Sequence, residues 1–410
     1  MATTTTTTVL DRTLTLILAG GQGSRLYPLT SNRPKPAIPF GGIFRIIDFT
    51  LSNALNSGLR RLVLLTQYKH EELHRYVREG WGALWNDFRW DRGEYLLCLP
   101  PASGKRYRGT ADAVLQNIEL IRRELPEFVL ILSGDHVYHM DYRELLEAHA
   151  DSSAGLTIAA VEQPIEEAGR FGVLEAGAGG NVIGFQEKPT IPRAMPSDSK
   201  KVLASMGVYV FNTAVLLRIL SENAESNYDF GKHVIPSLIG ALPVRAHELR
   251  DSITGSPGYW KDIGTIESYY HASMDLTASN PPFDPYSNDR WPTRTKGPRG
   301  LHPCRPSSRV SGQVTNSVIS AGVQILADSS VEDSVLMRGA RIGNGSRVRR
   351  AIVEEGVEIP ADVEIGYDRP EDLHRYMVTE SGIVVVTGRN LESRPVEHPA
   401  FGRFAATAAG

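Results

Sequence analysis

From residue 314 to residue 365 the chain repeats itself at a fixed step of seventeen residues. Val314, Val331, Val348 and Ile365 form one column. Val318, Val335 and Ile352 form a second, Gly322, Gly339 and Gly356 a third, and Ile325, Ile342 and Ile359 a fourth. The period is too short for the common helical repeats, and Val, Ile and Gly favour strands and tight corners. Short β-segments stacked coil on coil, with like residues in columns, make a parallel β-helix. A few coils of this size bury little core on their own. One face is therefore expected to dock on the rest of the chain or on another subunit.

The preceding part reads differently, and 410 residues are too many for one ordinary core. TLTLIL at 13–18 is a strand, a helix follows at about 48–57 with Gly58 as its stop, and RLVLLT at 61–66 is a second buried strand. Strand, glycine loop, helix and strand open a parallel α/β sheet. Residues 110–125 place Ala113, Val114, Asn117, Ile118 and Ile121 at helical spacing, and FVLILSGD at 128–135 is an apolar run ending in a carboxylate. A helix is predicted from Asp141, with Glu144 completing a capping box. Further strands are predicted at 156–161, 172–174, 181–186 and 206–211. A proline-dense stretch without apolar periodicity starts at 281. The expected division is a frayed, disordered tail (1–12), an α/β domain (13–280), an extended surface linker (281–305), a β-helix domain (306–395) and a C-terminal tail (396–410).

Composition narrows the function. A formal net charge of -3 gives no reason to expect nucleic acid or an anionic membrane as partner. The two cysteines, Cys98 and Cys304, are too few for a disulfide framework and lack metal spacing, which fits a reducing cytoplasm. The N-terminus lacks the basic and apolar regions of a signal peptide, and every apolar stretch is interrupted before it can span a bilayer.

The chemistry concentrates in LILAGGQGSRLYPLTSNRPKPAIPF, residues 16–40. No GK[ST] follows the glycines, so this is not a P-loop, and Leu26 stands where a dinucleotide fingerprint needs glycine. Glycines after a strand still expose backbone N–H groups that cradle anions. Arg25 and Lys35 add two fixed charges, which suits a triphosphate. The plainer alternative is a tight turn with two solvated cations. Asp135 ends a strand, where ligands of open α/β sheets sit. With Asp262 it offers the one or two carboxylates that a phosphate-bound Mg2+ takes. Either aspartate can equally be a cap, Asp262 for a helix near Thr265.

LILAGGQGSRLYPLTSNRPKPAIPFGG, FRIIDFTLSNALNSG, YRGTADAVLQN, LSGDHVY, IEEAGRFGV, FQEKP, ASMGVYVFN, YDFGKHVIP and YWKDIGT together closely resemble the bacterial ADP-glucose pyrophosphorylases, in order from about residue 13 to 390. The resemblance implies a Rossmann-like nucleotidyltransferase domain with a mostly parallel sheet, followed by a left-handed parallel β-helix. It implies that an oxygen of glucose 1-phosphate attacks the α-phosphorus of ATP and that pyrophosphate leaves. The attacking phosphate is already ionised, so the task is to hold anions together and neutralise charge. By resemblance Arg25 and Lys35 hold the triphosphate, and Gly20, Gly21, Gly23, Gln67 and Gly109 bind ATP. Asp135 and Asp262 hold Mg2+, with Asp135 counted among the catalytic groups. Tyr107, Gly172, Glu187, Lys188, Ser205, Tyr209 and Asp229 receive glucose 1-phosphate. Gly172 is expected to admit the sugar ring closely.

The resemblance further implies a cytoplasmic homotetramer regulated by anionic metabolites, with Arg33, Arg45, Arg123 and Arg375 matching the arginines of the inhibitory site. Charged or polar positions of the enteric members are replaced by Asn32, Pro39, Ile43 and Glu72, and the C-terminal end differs. Weak or absent activation by fructose 1,6-bisphosphate follows, with fructose 6-phosphate, pyruvate or 3-phosphoglycerate as the alternatives. Other readings are a transferase making a UDP- or dTDP-sugar, or a non-catalytic regulatory subunit, although the catalytic cations and acids are all present. The most distant is a zinc protease: residues 70–74 read His-Glu-Glu-Leu-His. Against it stands an amphipathic helix with Leu73, Tyr76 and Val77 turned inward.

Overall fold

The computed structural model describes residues 7–81, 93–222, 228–251, 255–286, 290–295 and 308–388. The chain forms two compact units, Met1–Cys304 and Arg305–Gly410.

The first unit is built on a sheet that has nine strands among the described residues. Thr13–Ala19 lies at its centre, parallel to Arg61–Thr66 on one side and to Phe128–Ser133 on the other, and Tyr95–Leu99 continues the parallel set. These strands are nearly continuous apolar runs because layers cover both faces. Leu14, Leu16 and Ile17 have no exposed surface, and each such side chain contributes about 2 kcal/mol by burial. Beyond Phe128–Ser133 the direction changes. Lys201–Asn212 runs antiparallel to it and to Leu156–Pro164 and Gly172–Ala176, and Val182–Glu187 is antiparallel to Gly172–Ala176 at the edge. The sheet is therefore mixed, with a parallel half beside the glycine loop and a mainly antiparallel half, to which Val244–Glu248 adds one parallel pairing with Leu156–Pro164.

The predicted helix at 48–57 is Ile46–Asn56. That at 110–125 divides into Thr110–Leu115 and Ile118–Glu124. Asn117 sits at the break, and its side-chain amide donates to the Ala113 carbonyl and to the Tyr107 hydroxyl. Asp141 caps Tyr142–Ala150 by accepting from the Arg143 N–H. The N-terminal tail is a partial correction. Residues 1–6 lie outside the described residues, but Val9 is buried, the Asp11 carboxylate accepts from the Thr8 N–H and hydroxyl, and Arg61 donates to the Asp11 carbonyl. Order therefore begins before the first strand. The proline-rich stretch is anchored along Ile46–Asn56: Trp291 donates to Asn53 at 2.8 Å, and Thr295 donates to the buried Asp48 carboxylate at 2.7 Å.

In the second unit the seventeen-residue columns are the strand registers. Val314 pairs with Val331, Val331 with Val348 and Val348 with Ile365. Val318, Val335 and Ile352 pair likewise, as do Ile325, Ile342 and Ile359. Gly322, Gly339 and Gly356 turn the corners at φ of 74, 70 and 70°, a backbone that side chains resist. The helix Arg369–Arg375 interrupts the last coil, which resumes at Val384–Val386 beside Ala351–Val353. Residues 389–410, which include the expected C-terminal tail, lie outside the described residues.

Candidate active site

Three parallel strands deliver their loops to one carboxyl-end edge: Gly20–Gly21 after the first, Gln67 after Arg61–Thr66, and Asp135 after Phe128–Ser133. Gly21, Gly23, Arg25, Lys35, Asp135 and Gly264 line a cleft of about 240 Å³ there. Gly23 has φ of 63°, and a Cβ on it would stand 3.1 Å from the Lys35 Cβ. The turn thus requires glycine both for its hand and for the approach of Lys35.

Lys35 starts a short 3-10 turn, Lys35–Ala37, and is 6% exposed. Its ammonium lies 2.8 Å from Asp135 Oδ2 and 2.9 Å from Asp262 Oδ1. Asp262 arrives on the short strand Trp260–Asp262, paired with His136–Tyr138. His136 Nε2 stands 3.4 Å from Asp135 and 3.8 Å from Asp262. Burial pulls the Lys35 ammonium down, but the two carboxylates override it and raise its pKa. Burial likewise pushes both carboxyls up, and Lys35 with His136 holds them below the usual carboxylate range. All three groups stay charged at neutral pH. Asp262 is not a helix cap; Thr265 fills that role by accepting from Ser268. Two ionised carboxylates beside an anion-cradling loop are hard oxygen donors of the kind Mg2+ takes together with phosphates. The residues present therefore fit that ion.

Several of the residues that the resemblance assigns to the sugar stand on or beside the antiparallel strands. Lys201–Asn212 carries a bulge between Ser205 and Val208 where it passes the end of Phe128–Ser133, and Ser205 and Tyr209 are both buried there. Glu187 ends the edge strand, and Lys188 follows at φ of 48°, a left-handed conformation uncommon for a residue with a side chain. Lys188 Nζ lies 3.3 Å from Glu187. A Cβ on Gly231 would meet Glu187 at 2.5 Å and Asp229 at 3.5 Å, so both carboxylates face one point. Asp229 is also an N-cap, accepting from the Lys232 N–H.

Three expected contacts have a different physical setting. A Cβ on Gly172 would stand 2.3 Å from the Phe185 ring, so glycine there accommodates a neighbouring side chain of the protein itself. Gly109 lies against the Tyr228 backbone, whose carbonyl a Cβ would meet at 2.2 Å. The Gln67 amide is engaged with both backbone groups of Tyr107. Spacing missed Arg170, which donates to the Asp262 carbonyl at 3.0 Å, and Thr110, whose hydroxyl donates to Asp229 at 3.3 Å and accepts from the Phe230 N–H. Both stand inside quoted motifs, but no sequence rule links positions 92 or 119 residues apart.

Arg45 donates to the Ala37 carbonyl at 2.7 Å and to Glu72 at 2.8 Å. Arg123 lies 3.4 Å from Glu124, and Arg375, in the second unit, 3.8 Å from Glu371. Arg33 belongs to the first unit, in the loop before Lys35. In the His-Glu-Glu-Leu-His helix, His70–Gly80, Leu73, Tyr76 and Val77 are buried as expected. His74 Nε2 is 2.7 Å from the Thr66 hydroxyl. Among the described residues no three His, Cys, Asp or Glu side chains group to hold a metal, and the protease reading has no site. No helix among them is long and apolar enough to cross a membrane.

Comparison with known proteins agrees with both units. Residues 14–279 match the nucleotidyl transferase family, and residues 306–386 match the GlmU-like C-terminal hexapeptide family. Glucose-1-phosphate adenylyltransferase 2 of Alkalilimnicola ehrlichii is 43% identical, covering 92% of this chain and 93% of its own. Glucose-1-phosphate adenylyltransferase of Rhodopirellula baltica is 42% identical, covering 95% and 92%. That of Shewanella frigidimarina is 43% identical, covering 92% and 95%. With such identity along nearly its whole length, the chain belongs to the glucose-1-phosphate adenylyltransferase family.

Proposed function

We propose that the protein makes ADP-glucose and pyrophosphate from ATP and glucose 1-phosphate, the step that commits glucose to an α-1,4-glucan such as glycogen. The observation that carries the reading is the buried Lys35 set between Asp135 and Asp262 beside the glycine turn. A phosphate oxygen of glucose 1-phosphate forms a bond to the α-phosphorus as the bond to the β-phosphate oxygen breaks. The attacking oxygen is already an anion, so no general base is required. Arg25 and Lys35 bind the triphosphate and meet the charge that develops on the leaving pyrophosphate. Lys188 attracts the sugar phosphate, while Glu187 and Asp229 accept from sugar hydroxyls. Asp135 and Asp262 are the residues that would hold Mg2+, and the ion would supply further charge neutralisation.

Regulation and assembly form the finer part of the proposal: a cytoplasmic homotetramer under anionic metabolites. Arg45 already has a carboxylate, Glu72, at 2.8 Å. Any anionic effector at that arginine competes with an internal anion, while Asn32, Pro39, Ile43 and Glu72 at the replaced positions support weak or absent fructose 1,6-bisphosphate activation and a different anionic activator. One assay tests substrates and effectors together: pyrophosphate release from ATP, UTP, dTTP and GTP with glucose, glucosamine and mannose 1-phosphates, with and without fructose 1,6-bisphosphate, fructose 6-phosphate, pyruvate and 3-phosphoglycerate. ATP with glucose 1-phosphate is expected to be fastest. Preference for UTP or dTTP overturns the substrate assignment, and strong activation by micromolar fructose 1,6-bisphosphate overturns the regulatory one.

A further inference from the structure

The turn Ile165–Arg170 leads into the strand Gly172–Ala176 on the sugar side of the sheet. Its last residue, Arg170, reaches out of it. One guanidinium nitrogen donates to the backbone carbonyl of Asp262 at 3.0 Å, and another is held by Glu167 at 3.0 Å. A planar guanidinium fixed at two edges has little freedom left, so the carbonyl it grips is fixed with it. That carbonyl belongs to the residue whose carboxylate meets Lys35 at 2.9 Å. The next residue along, Phe171, accepts the Lys188 N–H on its carbonyl at 3.2 Å, and its ring packs on Trp260 at 5.8 Å between centroids. A single side chain thus joins the backbone of a metal-site carboxylate to the backbone that sets Lys188.

We infer that Arg170 is a positioning residue: it aims the Asp262 carboxylate at the metal and holds that strand in register with the sugar-phosphate lysine. The inference rests on Asp262 being a metal carboxylate. A purely structural alternative is that Arg170 only pins its own turn. The two differ in metal affinity, because partners that orient a ligand from behind typically change affinity by about 10–100-fold.

The test uses the full-length protein and Mn2+ as probe, titrated by EPR alone and with ADP-glucose. Arg170→Ala is expected to weaken Mn2+ binding about tenfold and to raise the Mg2+ needed for half-maximal turnover by a similar factor. Arg170→Lys, which keeps a cationic donor, should recover part of the loss. Unchanged Mn2+ affinity in a folded Arg170→Ala protein overturns the inference, whatever happens to turnover or melting temperature. Should that variant not fold, Glu167→Ala, which frees only the far end of the guanidinium, is expected to weaken Mn2+ severalfold, and unchanged affinity there overturns it equally. Wild-type protein that binds no Mn2+ removes the metal assignment and the inference together. Wild type that binds Mn2+ while the variants match it removes the inference alone.

Discussion

The two halves of the sheet hold their lysines in opposite ways. On the phosphate side the Lys35 side chain is 8% exposed and fixed between two carboxylates. Its turn is gripped by Arg45 through the Ala37 carbonyl, and the following helix is backed by residues 290–295. On the sugar side Lys188 is 50% exposed, has one carboxylate at 3.3 Å, and sits just past an edge strand. A buried charge with fixed partners cannot relax, so it is preorganised for charge that appears during reaction. An exposed lysine is a mobile, hydrated point charge, suited to capturing a phosphate that is anionic from the start. Under the proposed roles, Lys35 would serve the transition state and Lys188 the ground state.

The largest effect should come from breaking the phosphate side. Asp135→Asn is expected to lower kcat by roughly two to three orders of magnitude, since a carboxylate proposed to hold the metal is lost. The fold should survive. The cluster carries one positive charge against two negative ones, and Asp135→Asn leaves Lys35 and Asp262 as a neutral pair. Lys35→Met should also abolish turnover, but it strands two buried carboxylates face to face, so the melting temperature should fall as well. Near-normal kcat in folded Asp135→Asn protein, or equal melting temperatures for the two variants, would break the contrast.

A smaller effect of a different kind is expected on the sugar side. Lys188→Ala should raise the KM for glucose 1-phosphate by about tenfold to a hundredfold, the worth of one charge-assisted phosphate contact, with kcat much less changed. Stability should barely move, because the side chain is half exposed and its ion pair contributes little. A loss confined to kcat would place Lys188 with Lys35 and erase the distinction between the halves.

The halves also differ in how legible they were. The phosphate side is largely local in sequence: strand, glycines, Arg25 and Lys35 fall within a short stretch, and Asp135 ends a later run that reads plainly as a strand, although Asp262 lies 227 residues from Lys35. The β-helix was legible for a related reason, because a fixed repeat states its own strand register, as Val318, Val335 and Ile352 show. The sugar side depends on long-range pairing. Strands were predicted at 172–174 and 206–211, within the observed Gly172–Ala176 and Lys201–Asn212, but nothing in the sequence announced their antiparallel direction or the bulge at Ser205. Gly172 illustrates the limit. Glycine in a strand signals a close approach, and the sequence could not say that the approaching group was Phe185. Arg170 was hidden for the same reason, since its partner is a backbone carbonyl, which no side-chain pattern encodes.

The smallest effect concerns the backing of the phosphate side. His139 follows the strand His136–Tyr138, its Nε2 lies 2.8 Å from the Thr293 hydroxyl, and its ring packs 4.5 Å from Phe283 between centroids. Burial lowers its pKa to about 4, with Asp284 opposing part of the shift. The sign follows from the two states. Below about pH 6.5 the unfolded chain protonates this histidine, whereas the folded protein declines the proton until about pH 4. The stability that the neutral ring contributes is therefore intact above pH 6.5 and is lost as the pH falls toward 4. At pH 5.5 the loss should be about 1 kcal/mol. All five tryptophans lie between residues 81 and 291, so their fluorescence reports unfolding of the first unit. Urea curves at pH 7 and 5.5 should differ more for the wild type than for His139→Gln, which has no proton to take up. Parallel curves for the two proteins would show that the 283–295 segment is held by its other contacts, such as Trp291 to Asn53, and that the phosphate side's rigidity owes nothing to this ring.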